Sequence, residues 1–351
     1  MELNQLLEKS LEKKASDIHV SVGLPPIFRI NGELVTLGDK SISPQDAIIL
    51  AKQCLTQKNY ETFLELGEVD VAYALPGICR FRVNVFKQRG TCAIAFRVIP
   101  TKIPTMEELK LPNILKSLAT KRRGLILVTG PTGSGKSTTL ASFIDYINRN
   151  RREHVITLED PIEYTHQHRE SIVVQREVGT DTMSFPKALR AALREDPDVV
   201  LLGEMRDQET ISTALTAAET GHLVLSTLHT VGSAKTIDRI IDVFPPHQQP
   251  QVRNQLSTVV VSILSQQLLL TKDEDSRTVA TEVMMMNPAI ANLIREGKTA
   301  QINTCIHTGG EFGMYSMDSS LAELYRDGLI DYNTAASYAV DYDNFRKILM
   351  V

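Results

Sequence analysis

Cysteine is scarce in this sequence, and the four that occur lie far apart. Cys54, Cys79, Cys92 and Cys305 form no C-x-x-C pair. Close pairs of this kind are the usual mark of zinc sites and of small disulfide frameworks. Neither is indicated, and the sequence favours buried thiols in a reducing compartment.

Neither sign of charge is in large excess. The 351 residues carry 38 Lys and Arg against 42 Asp and Glu, a formal net charge of −4. Domains that bind nucleic acid usually have a basic surplus. The composition therefore predicts no direct binding of nucleic acid.

Long hydrophobic runs are also missing. Residues 1–9 have the pattern of an amphipathic helix and lack the apolar stretch of a secretory signal. The most apolar later segment, 256–270, is interrupted by three serines and two glutamines, and is too short and too polar to cross a bilayer. We expect no transmembrane segment and a cytoplasmic protein that reaches the cytoplasmic face of the cell membrane through a partner.

The first 99 residues predict a small α+β domain built mainly on an antiparallel sheet. An apolar stripe from Leu3 to Leu11 predicts the first helix, and Ser43 is a suitable N-cap for the second. Asn31-Gly32 is the strongest hairpin signal. Further helices are expected over 44–54 and 60–66, and strands around 18–20 and over 27–30, 69–74, 79–86 and 91–98.

Residues 100–112 predict a linker, because Pro100, Pro104 and Pro112 prevent one continuous helix. From residue 113 to 351 we expect a second domain in which apolar strands alternate with helices. Such alternation favours a mostly parallel sheet covered on both faces. Its strands are expected over 125–129, 155–158, 199–202 and 223–226, and a helical bundle from about residue 287.

One segment of the second domain fits the phosphate-binding motif G-x-x-x-x-G-K-[ST]. A strand before it and a helix after it would turn backbone N–H groups and a helix N-terminus toward one anion. We expect Lys136 to reach the phosphates of ATP and Ser137 to offer its hydroxyl to Mg²⁺. The alternative, a chance glycine-rich turn, is disfavoured by the lysine and the serine. The residues are Gly130, Pro131, Thr132, Gly133, Ser134, Gly135, Lys136, Ser137 and Thr138.

Carboxylates follow two other predicted strands. Glu204 comes just after 199–202, where it could polarise the attacking water or hold Mg²⁺ through a water. Glu163 closes a second acidic group, and we expect it to be the catalytic acid there. Glu159 and Asp160 of that group would support the loop and the metal shell. A solvated loop acid and a simple Asp-Pro turn are the alternatives.

A strand bracketed by histidines supplies a further candidate. We expect His229 to sense the γ-phosphate at the strand edge, while His222 at the other end is the weaker candidate. Each histidine could instead be structural.

Arginines provide the remaining positive charge. Alternation places Arg82 on a polar sheet face of the first domain, with Arg97 on the next strand, as possible arginine fingers to a neighbouring subunit or as a merely solvated face. Arg190 and Arg194, four residues apart on one predicted helix face, could bind phosphate or pair with acids.

Together these segments resemble the secretion ATPases of type II and type IV pilus systems, and most of all the PilT-type pilus retraction ATPases. The resemblance is carried by residues 130–138, 157–163, 202–207 and 221–230, with further matches at 16–19, 80–84 and 289–296. Ala291 departs from the pattern, since retraction ATPases commonly have arginine there.

The resemblance implies a homo-hexameric ring with a PAS-like N-terminal domain and a RecA-like P-loop NTPase domain. It also implies that Arg82 and Arg97 complete the active site across a domain interface. The expected function is a Mg²⁺-dependent ATPase that retracts type IV pili together with an inner-membrane platform protein and the pilus machinery. Pilus assembly, type II secretion or DNA uptake are alternatives, as is a nucleotide-gated scaffold that does not hydrolyse ATP.

Overall fold

The computed structural model of the protein describes residues 2–30, 32–75, 78–100, 102–273 and 276–350. The chain divides into two compact units. Unit 1 comprises Met1–Lys102 and Glu163–Thr165, and unit 2 comprises Ile103–Ile162 and His166–Val351. Within the described ranges, every helix is too short or too polar to cross a membrane.

Unit 1 is an antiparallel six-stranded sheet with three helices, in the order β3-β2-β1-β6-β5-β4. This confirms the expected α+β class. The helices are α1 (Leu3–Glu12), α2 (Pro44–Cys54) and α3 (Gln57–Leu66), and the strands are β1 (Asp17–Ser21), β2 (Ile27–Ile30), β3 (Glu33–Thr36), β4 (Glu68–Leu75), β5 (Cys79–Gln88) and β6 (Thr91–Ile99).

Local sequence signals explain where these elements begin. Ser43 and Asp46 form a reciprocal capping box at the start of α2, with both bonds at 3.1 Å. Helix α3 begins at Gln57, three residues before its predicted start, because Thr56 caps it through the N–H of Asn59. Strands β2 and β3 pair as a hairpin; Asn31 of its predicted turn lies outside the described residues.

Unit 2 contains a seven-stranded sheet in the order β13-β12-β7-β11-β10-β8-β9. All neighbouring pairs are parallel except β12 and β13. The strands are β7 (Gly124–Thr129), β8 (His154–Glu159), β9 (Ile172–Glu177), β10 (Val199–Leu202), β11 (Leu223–Leu228), β12 (Val260–Leu270) and β13 (Arg277–Met285).

Helices cover both faces of this sheet. Alternate residues of β7 face two different cores: Leu125 and Leu127 pack in one, and Ile126 and Val128 pack in the other. The helices are α4 (Ile114–Leu118), α5 (Lys136–Asn150), α6 (Phe185–Ala192), α7 (Gln208–Glu219), α8 (Ser233–Asp242), α9 (Gln249–Val259), α10 (Pro288–Glu296), α11 (Ile302–Thr308), α12 (Met317–Arg326), α13 (Tyr332–Tyr338) and α14 (Tyr342–Met350). The doubly covered sheet and the C-terminal helices confirm the predicted fold class.

Three strands of this sheet, β9, β12 and β13, were not predicted. Segment 256–270, expected only not to span a membrane, forms the end of α9 and the long strand β12, which pairs with β13 at one edge of the sheet. Strand β9 pairs in parallel with β8 at the sheet edge. The sheet therefore extends beyond the four predicted strands on both sides.

The cysteines are free thiols. Cys54 and Cys92 are buried, whereas Cys79 and Cys305 are half-buried. Burial raises the pKa of the Cys54 thiol to about 12 and that of Cys92 to about 11, so both remain protonated and inert at neutral pH.

Candidate nucleotide-binding site

The strand order of unit 2 brings the predicted chemical groups to one edge of the sheet. Strands β7, β11, β10 and β8 are consecutive neighbours and run parallel, so their carboxyl ends lie together. Backbone hydrogen bonds continue the pairing of these strands beyond their carboxyl ends. The N–H of Gly130 donates to the carbonyl of Leu228 (3.3 Å), and that of Met205 donates to the carbonyl of Thr227 (3.2 Å). The motif loop, Glu204 and His229 therefore follow adjacent strands.

The motif loop links β7 directly to helix α5. Gly130 has a φ of +144°, and a Cβ at this position would lie 2.2 Å from the backbone oxygen of Gln266 on β12. Gly135, immediately before α5, has a φ of +86°. Only glycine fits both the backbone conformation and the close approach of β12 at residue 130.

Lys136 opens helix α5 and lies inside the loop. Its side chain is 8% exposed, and Nζ donates to the carbonyl oxygens of Gly130 (3.0 Å) and Pro131 (2.9 Å). Ser137 and Thr138 follow in the first turn and are half-buried, while residues 131–133 are exposed. The first turn of α5 carries no acidic residue, which leaves the positive end of the helix dipole uncompensated.

These donors fit a nucleotide phosphate with Mg²⁺. The loop and the first turn of α5 supply backbone N–H groups and an ammonium, and the buried Ser134 hydroxyl oxygen has no hydrogen-bond partner among the described residues. Within the same residues, no group of three or more His, Cys, Asp or Glu could form a metal cage. Mg²⁺ commonly binds through one or two protein groups plus phosphate oxygens and water, so the serine and carboxylate set is sufficient.

Glu204 lies between two basic side chains. Its carboxylate oxygens are 2.7 Å from Nε of Arg206 and 3.4 Å from Nε2 of His229. These groups line a cavity of about 260 Å³ together with Thr227 and Arg239. A carboxylate held in this way is suited to accept a proton from water, or to bind a hydrated cation.

The acidic group after β8 is held by neighbouring polar side chains. Glu159 Oε1 accepts hydrogen bonds from Thr157 Oγ1 (2.6 Å) and Gln175 Nε2 (3.1 Å). The buried carboxylate of Glu177 accepts the N–H of Ile162 (3.1 Å), which anchors the segment leading to Glu163. Glu163 itself is exposed, and its catalytic role stays a prediction.

The two histidines differ in their surroundings. His222 Nδ1 lies 2.9 Å from the carbonyl of Ala217 and 3.3 Å from Thr220 Oγ1, which ties it to the end of α7. His229 contacts Glu204. The geometry agrees with ranking His229 above His222, and the sensing role of His229 stays a prediction.

The arginine face of unit 1 has the predicted alternation. Phe81 and Val83 are buried, whereas Arg82 between them is exposed and lies directly opposite Arg97 on β6. Arg82 Nε is 3.7 Å from Asp70, and Arg97 Nε donates to Asp17 at 2.8 Å.

The Arg97 bond also affects the carboxyl group that receives it. Burial raises the pKa of Asp17, but hydrogen bonds from Arg97 and Ser16 outweigh it, so the net shift is downward. Both arginine head groups remain accessible, and their role as arginine fingers stays a prediction.

Arg190 and Arg194 do not share a helix as expected. Helix α6 ends at Ala192 with Leu193 as its C-cap, so Arg194 lies beyond the helix and is exposed. The helical pattern was wrong at this point because Arg194 N–H bonds to the carbonyl of Ala191, closing a tighter turn. Arg190 pairs with Glu209 at the start of α7, which favours the acid-pairing alternative for this residue.

Several residues around the loop were not predicted from the sequence. Gln266 is almost fully buried on β12 and bonds to the motif loop, while Arg206 and Arg239 line the Glu204 cavity. A polar residue inside an otherwise apolar run was the only available signal for Gln266. Arg206 lies within segment 202–207, which carries the resemblance, but no motif gives it a role of its own, and Arg239 lies outside every segment that carries the resemblance.

Comparison with known proteins defines the class. The model of the type II/IV secretion system protein family matches residues 1–311, and the chain belongs to this family. This confirms the resemblance inferred from the four segments.

More specific similarities point to pilus retraction. The chain is similar to a "type IV pilus retractation ATPase PilT" of Pseudomonas aeruginosa, at 47% identity across 98% of this chain and 100% of that protein. It is 48% identical to a "twitching motility protein" of Neisseria gonorrhoeae, across 87% of this chain and 82% of that protein. A crystal structure of the pilus retraction motor PilT with bound ADP superimposes with a TM-score of 0.93 at 46% identity, over 99% of both chains.

Proposed function

We propose that this protein is a Mg²⁺-dependent ATPase of the PilT type that powers retraction of type IV pili. The single observation that carries this is the phosphate-binding loop, built on β7 and α5 beside Glu204 and His229. It is supported by the similarity over the full chain to a pilus retraction ATPase and to an ADP-bound retraction motor.

Each candidate residue at the carboxyl edge of the sheet in unit 2 has a proposed role. Backbone N–H groups of residues 133–137 and Lys136 hold the β- and γ-phosphates of ATP, and Glu204 orients the attacking water and accepts its proton. When bound through Ser137, and through Glu204 by way of a water, Mg²⁺ would neutralise charge on the β- and γ-phosphate oxygens. His229 responds to loss of the γ-phosphate through its contact with Glu204.

The remaining assignments extend the proposal beyond one chain. Six copies form a ring, in which Arg82 and Arg97 of unit 1 supply positive charge to the triphosphate of a neighbouring subunit. Glu163 acts as a second catalytic acid.

The domain boundaries also belong to the proposal. Residues 1–99 form the PAS-like domain, 100–112 the linker and 113–351 the RecA-like domain. The ring works in the cytoplasm, on the membrane-bound pilus machine, through an inner-membrane platform protein.

Phosphate release by the purified protein tests the ATPase assignment. Lys136→Ala removes the ammonium from the phosphates and should abolish turnover. Glu204→Gln should keep ATP bound while lowering kcat at least about 100-fold, because it removes the proton acceptor. Undiminished turnover in either variant contradicts the assignment, and wild-type protein that binds ATP without releasing phosphate would instead support the nucleotide-gated scaffold.

The phenotype of a deletion strain tests whether the motor retracts pili, assembles them or serves another system. A strain lacking this protein should carry extra pili that do not retract. Bald cells would show that the motor assembles pili, and normal pili with lost secretion or DNA uptake would assign it to those systems.

A further inference from the structure

Strand β12 contributes a buried side chain to the phosphate-binding loop. Gln266 is 1% exposed and lies against the loop on the side of the neighbouring strand. Its Nε2 donates to the carbonyl oxygen of Ser134 at 2.5 Å, and its Oε1 accepts from Thr139 Oγ1 at 3.0 Å. One amide therefore joins the loop to the second turn of α5.

The bond to Ser134 fixes the orientation of a whole peptide unit. In a trans peptide the carbonyl of one residue and the N–H of the next point in opposite directions. The Ser134 carbonyl points to Gln266, so the Gly135 N–H points away from Gln266. Gly135 has a φ of +86°, and a glycine peptide rotates easily unless it is held.

Close contacts with Gln266 restrict the conformation of the loop. A Cβ on Gly135 would lie 3.3 Å from Gln266 Nε2, and a Cβ on Gly130 would lie 2.2 Å from the Gln266 backbone oxygen. Two of the three glycines of the loop, Gly130 and Gly135, thus pack against the same residue of β12.

We propose that Gln266 is a positioning residue for nucleotide binding, which holds the Ser134–Gly135 peptide so that its N–H faces the β-phosphate. This inference rests on the proposed function, since it concerns the same loop. Gln266 acts only through the loop backbone: loss of its amide frees the peptide to rotate, and each rotated loop must be reordered before a phosphate can bind.

The adjacent residue offers a matched control. Gln267 is also buried, on the same strand, and its Nε2 donates to a backbone carbonyl, that of Tyr338, at 3.1 Å. Replacing either glutamine by leucine removes one buried amide-to-carbonyl bond, and Gln266→Leu also removes the bond accepted from Thr139. Of the two residues, Gln266 is the one that contacts the loop. A purely structural role would therefore lower the thermal stability of both variants and leave their nucleotide affinities equal.

The test is ADP and ATP binding by calorimetry, together with steady-state ATPase kinetics, on full-length wild type, Gln266→Leu, Gln267→Leu and Thr139→Val. We expect Gln266→Leu to raise the Kd of ADP about tenfold, the effect of one lost hydrogen bond with its partner left unsatisfied, with KM raised more than kcat is lowered. For Gln267→Leu, the Kd of ADP should stay within about twofold of the wild-type value. Thr139→Val removes only the bond that Thr139 donates to Gln266 and keeps the bond from Gln266 to Ser134. The expected rise in the Kd of ADP is therefore smaller, about threefold.

The possible outcomes distinguish the role proposed for Gln266 from the proposed ATPase function. Equal Kd values for the two leucine variants overturn the inference while leaving the ATPase proposal intact. A wild type that binds no nucleotide refutes the proposed function and the inference together. Should Gln266→Leu not fold, Thr139→Val carries the decision: an unchanged Kd contradicts the amide bridge, and a raised one supports it.

Discussion

Substitution of Gly130 by alanine tests whether β12 and the phosphate-binding loop must touch as closely as the structure shows. An added Cβ would lie 2.2 Å from the Gln266 backbone oxygen, whereas ordinary contact begins near 3.4 Å. The loop and strand β12 would have to separate by about 1 Å, the difference between these two values. Alanine would also have to adopt a φ of +144°.

The expected cost has two parts. The backbone strain costs about 1 to 3 kcal/mol, and the collision with a packed strand costs about 1 to 3 kcal/mol more. We therefore expect Gly130→Ala to lower the free energy of unfolding by about 2 to 6 kcal/mol in urea titrations of the nucleotide-free protein. Since a 1 Å displacement of binding groups can cost about 100-fold in rate, kcat/KM should fall by about that factor.

Gly221→Ala is the matched control for this experiment. Gly221 has a φ of +112°, but among the described residues no atom lies within 4 Å of its added Cβ, so only the strain of about 1 to 3 kcal/mol applies. A Gly130→Ala variant that is as stable as Gly221→Ala and keeps kcat/KM within about threefold of wild type would show that β12 and the loop need not touch so closely.

Two further predictions concern a buried histidine and the arginine face. Burial lowers the pKa of His166 to about 4, with Asp145 opposing the shift. The unfolded chain, with a histidine pKa near 6.5, takes up the proton first as the pH falls. The free energy of unfolding should thus drop by about 2 kcal/mol between pH 7 and 5, and in parallel titrations His166→Phe should lack this drop; identical pH slopes contradict it. For the arginines, Arg97→Ala and Lys136→Ala should each be inactive alone but regain part of the ATPase activity when mixed, because some interfaces then combine an intact arginine with an intact loop. No recovery on mixing contradicts an arginine supplied by a neighbouring subunit.

The parts of the fold that follow local rules were predictable from sequence. The capping box of Ser43, the alternation around Arg82 and the apolar strand before Gly130 each depend on neighbours within a few residues. Family membership followed from four short segments for the same reason, since each one carries its own spacing and chemistry.

Strand β12 was harder to recognise because its polar residues are satisfied by distant parts of the chain. Ser265 accepts the N–H of Gly232, 33 residues away, and Gln266 bonds to Ser134, 132 residues away. Polar side chains in a buried strand look like solvent-exposed positions until their partners are known. Arg194 was misplaced for a different reason, because a local turn closed by its own N–H ended the helix that periodicity had extended.

Calorimetric titration of ATP into the Mg²⁺-containing protein shows whether residues 130–138 hold the triphosphate. We expect one nucleotide bound at each functional loop in the wild type, and loss of that binding in Lys136→Ala, whose backbone otherwise remains intact. Absence of binding heat at millimolar nucleotide, or equal affinity in the wild type and Lys136→Ala, would contradict a triphosphate held by residues 130–138.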